Sequence, residues 1–138
     1  MAGRTSLPLS TLVPNGADLN DAGTAVDQAN GMIIALPTTG IPAPGSLERL
    51  LIWVESSYAG GTMTVTVKAG VGGGATPGAA FESGKGDLTT GNITASTGTA
   101  MIGPLEVARF LQLDGSVWLN FSTSATGTIW AFLVPRAF

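Results

Sequence analysis

The chain has 138 residues, six of them basic and nine acidic, a net charge of −3, and neither Cys nor His. Its length suits one domain with a hydrophobic core of its own. The missing Cys and His exclude disulfides, thiolate chemistry, the usual general base and the commonest zinc ligand, so catalysis would have to rest on carboxylates, Lys, Tyr or hydroxyls.

In chain order, residues 1–30 read as a polar, irregular, extended arm outside the core. Ala17 to Ala29 is a weak helical candidate, interrupted by Gly23, Thr24 and Asp residues. Met32 to Leu36 is a first strand, ended by Pro37. Residues 47–55 have charges near their ends and a continuous apolar middle, the pattern of a strand covered on both faces. Residues 56–61 suit a hairpin turn into residues 62–69. There Met63, Val65 and Val67 face one way and Thr62, Thr64 and Thr66 the other.

Residues 70–87 form a Gly-rich loop. Ordering such a loop costs about 1–2 kcal/mol per residue in backbone entropy. Val71, Pro77 and Phe81 offer little to offset that, so a partner is expected to order it, and the same holds for the arm. Short strands are expected near Leu88 and from Ile93 to Ala95. Ala108 to Leu113 and Ser116 to Phe121 flank Asp114-Gly115, which suits a type I′ hairpin. Thr128 to Val134, stopped by Pro135, is apolar on both faces and belongs at the centre of a sheet or against another subunit. The fold expected is all-β: six to eight short antiparallel strands in a β-sandwich or jelly roll, residues 31–138, behind the N-terminal arm, residues 1–30.

Charged residues are 11% of the chain and apolar ones 44%, against roughly 25% charged in an average soluble domain. Either the surface is neutral and rich in Ser, Thr and Gly, or neighbouring subunits cover much of it. Arg4, Arg49, Lys68, Lys85, Arg109 and Arg136 are scattered, which gives neither a nucleic-acid footprint nor a polybasic membrane patch. The N-terminus lacks the apolar stretch of a signal peptide. No apolar run approaches the ~20 residues of a membrane span. The expectation is a chain made and used in a cytoplasm, or assembled there into something exported whole.

Motifs that carry chemistry are incomplete. Gly70 to Ala75 matches a dinucleotide fingerprint in form, but Thr76-Pro77-Gly78 leaves no helix to meet a pyrophosphate. Gly78 to Gly86 resembles a P-loop with the wrong spacing, and Gly86 stands where a Ser or Thr would hold Mg²⁺. Asp18, Asp21 and Asp27 do not match an EF-hand. The triplets at Asn92 and Asn120 have the form of glycosylation sites, which carries no weight without a signal peptide. A carboxylate-dependent hydrolase would need two carboxyl groups facing one another; Glu82, Asp87 and Asp114 read instead as turn or solubilising residues. Trp53, Tyr58, Trp118 and Trp130 suit a core or interface, or a carbohydrate-binding face. No enzyme activity, cofactor or metal is expected.

Three segments carry a resemblance. They are Met101-Ile-Gly-Pro-Leu105, Arg109-Phe-Leu-Gln-Leu-Asp-Gly-Ser-Val-Trp-Leu-Asn-Phe-Ser122 and Thr126-Gly-Thr-Ile-Trp-Ala-Phe-Leu-Val-Pro135, preceded by the strand at Met63 to Lys68. Together they resemble the small β-sandwich head decoration and minor capsid proteins of tailed bacteriophages. The resemblance implies a structural protein on the capsid exterior, assembled in the host cytoplasm, often trimeric, that clamps major capsid protein subunits. The Gly-rich insertion and the Pro-containing arm depart from the pattern and suit segments reaching a neighbour. The interface residues expected are Leu7, Leu9, Leu12, Val13, Phe81, Trp130, Phe132, Val134 and Phe138. The alternative is a lectin-like or host-adhesion module displayed on a virion.

Overall fold

Two-residue alternation decides which side of each strand is buried, and the computed structural model shows, among the described residues, ten strands in two sheets built on that alternation. The structure describes residues 3–12, 22–36, 48–70, 86–112 and 114–134. The strands are β1 (Thr5–Ser6), β2 (Leu9–Thr11), β3 (Thr24–Ala25), β4 (Met32–Ala35), β5 (Leu50–Ser56), β6 (Val65–Val67), β7 (Leu88–Thr89), β8 (Thr99–Ile102), β9 (Ser116–Phe121) and β10 (Gly127–Leu133). One helical turn, α1 (Val107–Phe110), lies between β8 and β9.

Sheet I has the order β1-β4-β9-β6-β7, and sheet II the order β2-β10-β5-β8. β3 also pairs with β10, at Thr128 and Ile129, beyond the stretch of β10 that β2 occupies. The inner faces meet in a single core. Met32, Leu119 and Val67 align across sheet I, and Ala131, Ile52 and Ile102 across sheet II. All six are buried. Each large aliphatic side chain buried this way contributes about 1.5–3 kcal/mol. The segment from Met63 to Val67 follows its expected parity, with Met63, Val65 and Val67 fully buried, though only Val65–Val67 forms a strand and Met63 makes an isolated bridge to Ile93.

The described residues hold ten strands rather than six to eight, the stretch from Ile93 to Ala95 gives only a bridge from Ile93 to Met63, and β8 was not expected; short segments carry too little alternation to declare themselves. The sequence reading and the structure part in four further places. The first is the N-terminal segment, read as an arm outside the core. Its described residues are woven into both sheets: β1 pairs parallel with β4, β2 parallel with β10, and Leu7 between them is 2% exposed. Two-residue strands carry almost no periodic signal, so sequence alone reads them as irregular. The second follows from the first: the parallel pairings make both sheets mixed rather than purely antiparallel. The third is the turn at residues 56–61. It is no hairpin, because β5 lies in sheet II and β6 in sheet I.

The fourth is the Asp114-Gly115 hairpin. The Glu106 carbonyl accepts hydrogen bonds from the amides of Arg109 and Phe110, at 3.2 and 3.1 Å, and starts a helical turn instead of a strand. Phe110 and Leu111 then fill the core. β9 has both edges occupied, by β4 and β6, and none left for the preceding run. The local turn survives: Gly115 has φ 82° and its amide donates to the Gln112 carbonyl at 3.0 Å.

Candidate interaction surfaces

The outer faces of the two sheets differ in chemistry. On sheet I, Thr66 faces Asn120 across one strand boundary and Thr89 across the other. The Thr66 and Thr89 hydroxyls are hydrogen-bonded at 2.9 Å. Trp118 lies on this face opposite Ile33. The Arg4 guanidinium stands 4.7 Å from the centroid of the Trp118 ring and donates to the Asn120 side chain at 2.7 Å and the Leu119 carbonyl at 2.8 Å. The Trp118 indole N–H donates to Ser116 Oγ at 3.0 Å. Partial burial holds the Arg4 pKa below its ordinary value.

On sheet II, parity turns Leu51 and Trp53 of β5 outward, because Leu50, Ile52 and Val54 point into the core. Register sets Trp53 beside Trp130 of β10 on one side and Met101 of β8 on the other, and Leu51 beside Phe132. The result is a row of Met101, Trp53 and Trp130, flanked by Leu51 and Phe132. Met101 is 58% exposed and the other four are partly buried. The Trp53 indole N–H donates to Glu55 at 3.2 Å. Trp130 is closed on one side by Gly23. That residue has φ 78°, and a Cβ there would collide with the indole, so both its backbone and its neighbour require glycine.

A third feature is an open cleft of about 430 Å³ between the edge strands β7 and β8. It is lined by residues 88–93 and 99–103, none of them charged. Leu88 and Met101, the exposed large apolar side chains among the described residues, both border it.

A fourth feature clasps the two ends of the Gly-rich segment. Asp87 accepts from the Ala69 amide at 2.6 Å and from Lys68 Nζ at 2.5 Å. Arg109 donates to the Gly86 and Asp87 carbonyls at 2.7 and 3.2 Å, and its own carbonyl accepts from the Gly70 amide at 2.7 Å. Burial alone would raise the Asp87 pKa, but the Ala69 amide, the Lys68 hydrogen bond and charge, and the Arg109 charge together hold it below the ordinary carboxylate value. Asp27 is also held low, first by the Thr5 hydroxyl and then by Asn30. It ties β1 to the turn before β4.

The expected interface residues divide into four groups. Leu7 belongs to this chain's own core, so it is removed from any contact surface. Leu9 and Leu12 are half-buried, and Leu9 packs against the core. Trp130 and Phe132 lie on the outer face of sheet II, and Val134 follows β10 partly exposed. Val13, Phe81 and Phe138 lie outside the described residues, as does most of the Gly-rich loop. Leu51 and Met101, which the sequence does not single out, join the outer face together with Trp53. The run at residues 50–54 is apolar throughout, so its sequence does not say which side faces out.

Comparison with family models, with curated proteins and with solved structures gives no match for this chain.

Proposed function

We propose that this chain is a structural virion protein of a tailed bacteriophage, a head decoration or minor capsid protein that packs on or between major capsid subunits. The observation that carries this reading is the outer face of sheet II. Leu51, Trp53, Met101, Trp130 and Phe132 stand side by side there, on a chain whose charged residues are only 11% of the total. Contiguous apolar surface, here one exposed and four partly exposed side chains, marks protein contact sites, and aromatic and Met side chains are enriched at interface centres. The segments resembling head decoration proteins supply the end of β8 and all of β9 and β10, so they include Met101, Trp130 and Phe132. Binding only to the assembled shell would stabilise that shell by mass action. Attachment as a homo-oligomer would multiply weak contacts through effective concentration.

The test is co-sedimentation of the purified chain with shells assembled from the major capsid protein of the same genome. The expected result is saturable binding at a fixed ratio to capsid subunits, with shells that resist heat better when decorated. Absence of binding to mature and immature shells alike would overturn the proposal.

The Trp53–Trp130 pair also favours a second reading, a lectin-like or host-adhesion module, because its rings lie on an outer face beside Glu55. Titration with a panel of cell-surface polysaccharides, read by Trp fluorescence, separates the two. A saturable change with one glycan would support the adhesion module.

A further inference from the structure

Among the described residues, the edge of sheet II at β8 carries no charge, no proline and no covering strand. Natural edges are blunted by charges, prolines, bulges or covering segments, because their unpaired N–H and C=O groups invite another strand. β8 reads Thr-Ala-Met-Ile, with no charge and no proline inside it. Its pairing with β5 fixes which backbone groups face outward. The Ser56 amide donates to the Gly98 carbonyl at 2.8 Å, so that pair is hydrogen-bonded. Antiparallel alternation then turns the backbone groups of Ala100 and Ile102 toward β5 and those of Thr99 and Met101 away from it. Among the described residues, no strand lies on that outer side.

The other edges are different. The β1 edge of sheet I adjoins Arg4, and the β7 edge adjoins the Lys68–Asp87 ion pair. Pro8 stands immediately before β2 on the far side of sheet II.

We infer that β8 is a self-pairing edge, at which two copies of this chain join antiparallel about a two-fold axis through Ala100. The edge favours a second copy for three reasons. Its register is self-complementary: with Ala100 opposite Ala100 of the second copy, Thr99 and Met101 exchange backbone hydrogen bonds in two reciprocal pairs. The side chains fit as well. Met101 of one copy becomes the diagonal neighbour of Met101 of the other, about 7–8 Å away, which covers the most exposed large apolar side chain among the described residues. Finally, the cleft beside the edge has no charged lining, so like-charge repulsion is absent where a net-negative chain would meet its own copy. The contact joins the two copies of sheet II into one continuous sheet and brings their outer aromatic faces onto one surface. This inference does not depend on the capsid reading, and it differs from the trimer that the resemblance implies.

The experiment uses the full chain, whose lack of Cys makes an introduced thiol unique. Ala100→Cys places two sulfurs at the axis in a non-hydrogen-bonded pair, where Cβ atoms approach closely. Thr66→Cys on the outer face of sheet I is the control. Oxidation with glutathione disulfide should convert most of the A100C chains to a covalent dimer and leave T66C monomeric on a non-reducing gel. Sedimentation velocity should give the unmodified chain twice the monomer mass, and Met101→Lys should halve it. An unmodified chain that sediments as a monomer or a trimer, or an M101K chain that keeps the doubled mass, would overturn the inference. So would A100C cross-linking no faster than T66C.

Discussion

The two outer faces of the sandwich arise from the same two-residue alternation, yet they are finished differently. Sheet I satisfies its outer face from within: Thr66 bonds Thr89, Arg4 covers Trp118 and binds Asn120, and Ser116 takes the Trp118 indole. Sheet II sets Leu51, Trp53, Met101, Trp130 and Phe132 beside one another, with Gly23 against Trp130 and Glu55 taking the Trp53 indole N–H. A polar face with internal partners gains little from a neighbour. An apolar face gains about 25 cal/mol for each Å² that a neighbour removes from water. On the reading proposed here, the first face holds the fold and the second makes contacts.

Perturbations at four parts of the molecule sharpen that contrast. The largest effect is expected inside the sandwich rather than on either face. Leu7→Ala should cost about 2–5 kcal/mol in urea unfolding, as a core truncation does. A chain starting at Gly31 should fail to fold, because it lacks β1, β2, β3 and Leu7. A stable, folded chain from Gly31 would return residues 1–30 to the status of an arm.

Asp87→Ala comes next. It removes the acceptor for the Ala69 amide and the partner of Lys68, and should cost about 1–3 kcal/mol. The pH dependence has a definite sign. Asp27 and Asp87 both have folded pKa values below the ordinary one, so the unfolded chain binds more protons as pH drops below ~4. Their stabilisation is present above that pH and is lost as pH falls toward the folded values. Asp87→Asn should flatten this acid loss in a urea midpoint measured against pH.

Arg4→Ala should cost about 1–2 kcal/mol through the lost cation–π contact and hydrogen bonds, and should raise acrylamide quenching of Trp118 fluorescence. The smallest effect on stability is expected on the outer face of sheet II. Phe132→Thr should change the unfolding free energy by under about 1 kcal/mol while weakening shell binding. A large loss of stability there would mean that this face, too, serves the fold.

The strands that alternate over several residues were legible in the sequence. Met63, Val65 and Val67 declare a buried side, and Met32 to Leu36 and Thr128 to Val134 declare strands. The paired short segments were not. Thr5–Ser6 and Thr24–Ala25 form strands only because β4 and β10 offer them an edge, a tertiary cause that no local pattern carries. The run from Ala108 was misread because apolar content alone does not separate a strand from a helical turn that plugs a core. The outer face was half legible. Trp130 and Phe132 stand out in an apolar run, but Trp53 and Met101 join them only through the register of β5 with β10 and β8.

The central claim is that the outer face of sheet II, and not that of sheet I, meets the partner. The most direct measurement compares Phe132→Lys with Thr66→Lys in co-sedimentation with shells of the major capsid protein, each chain first checked for an unchanged urea midpoint. The account predicts that F132K loses shell binding at least tenfold while T66K binds as the unaltered chain does. Equal binding by both variants, or a loss confined to T66K, would contradict it.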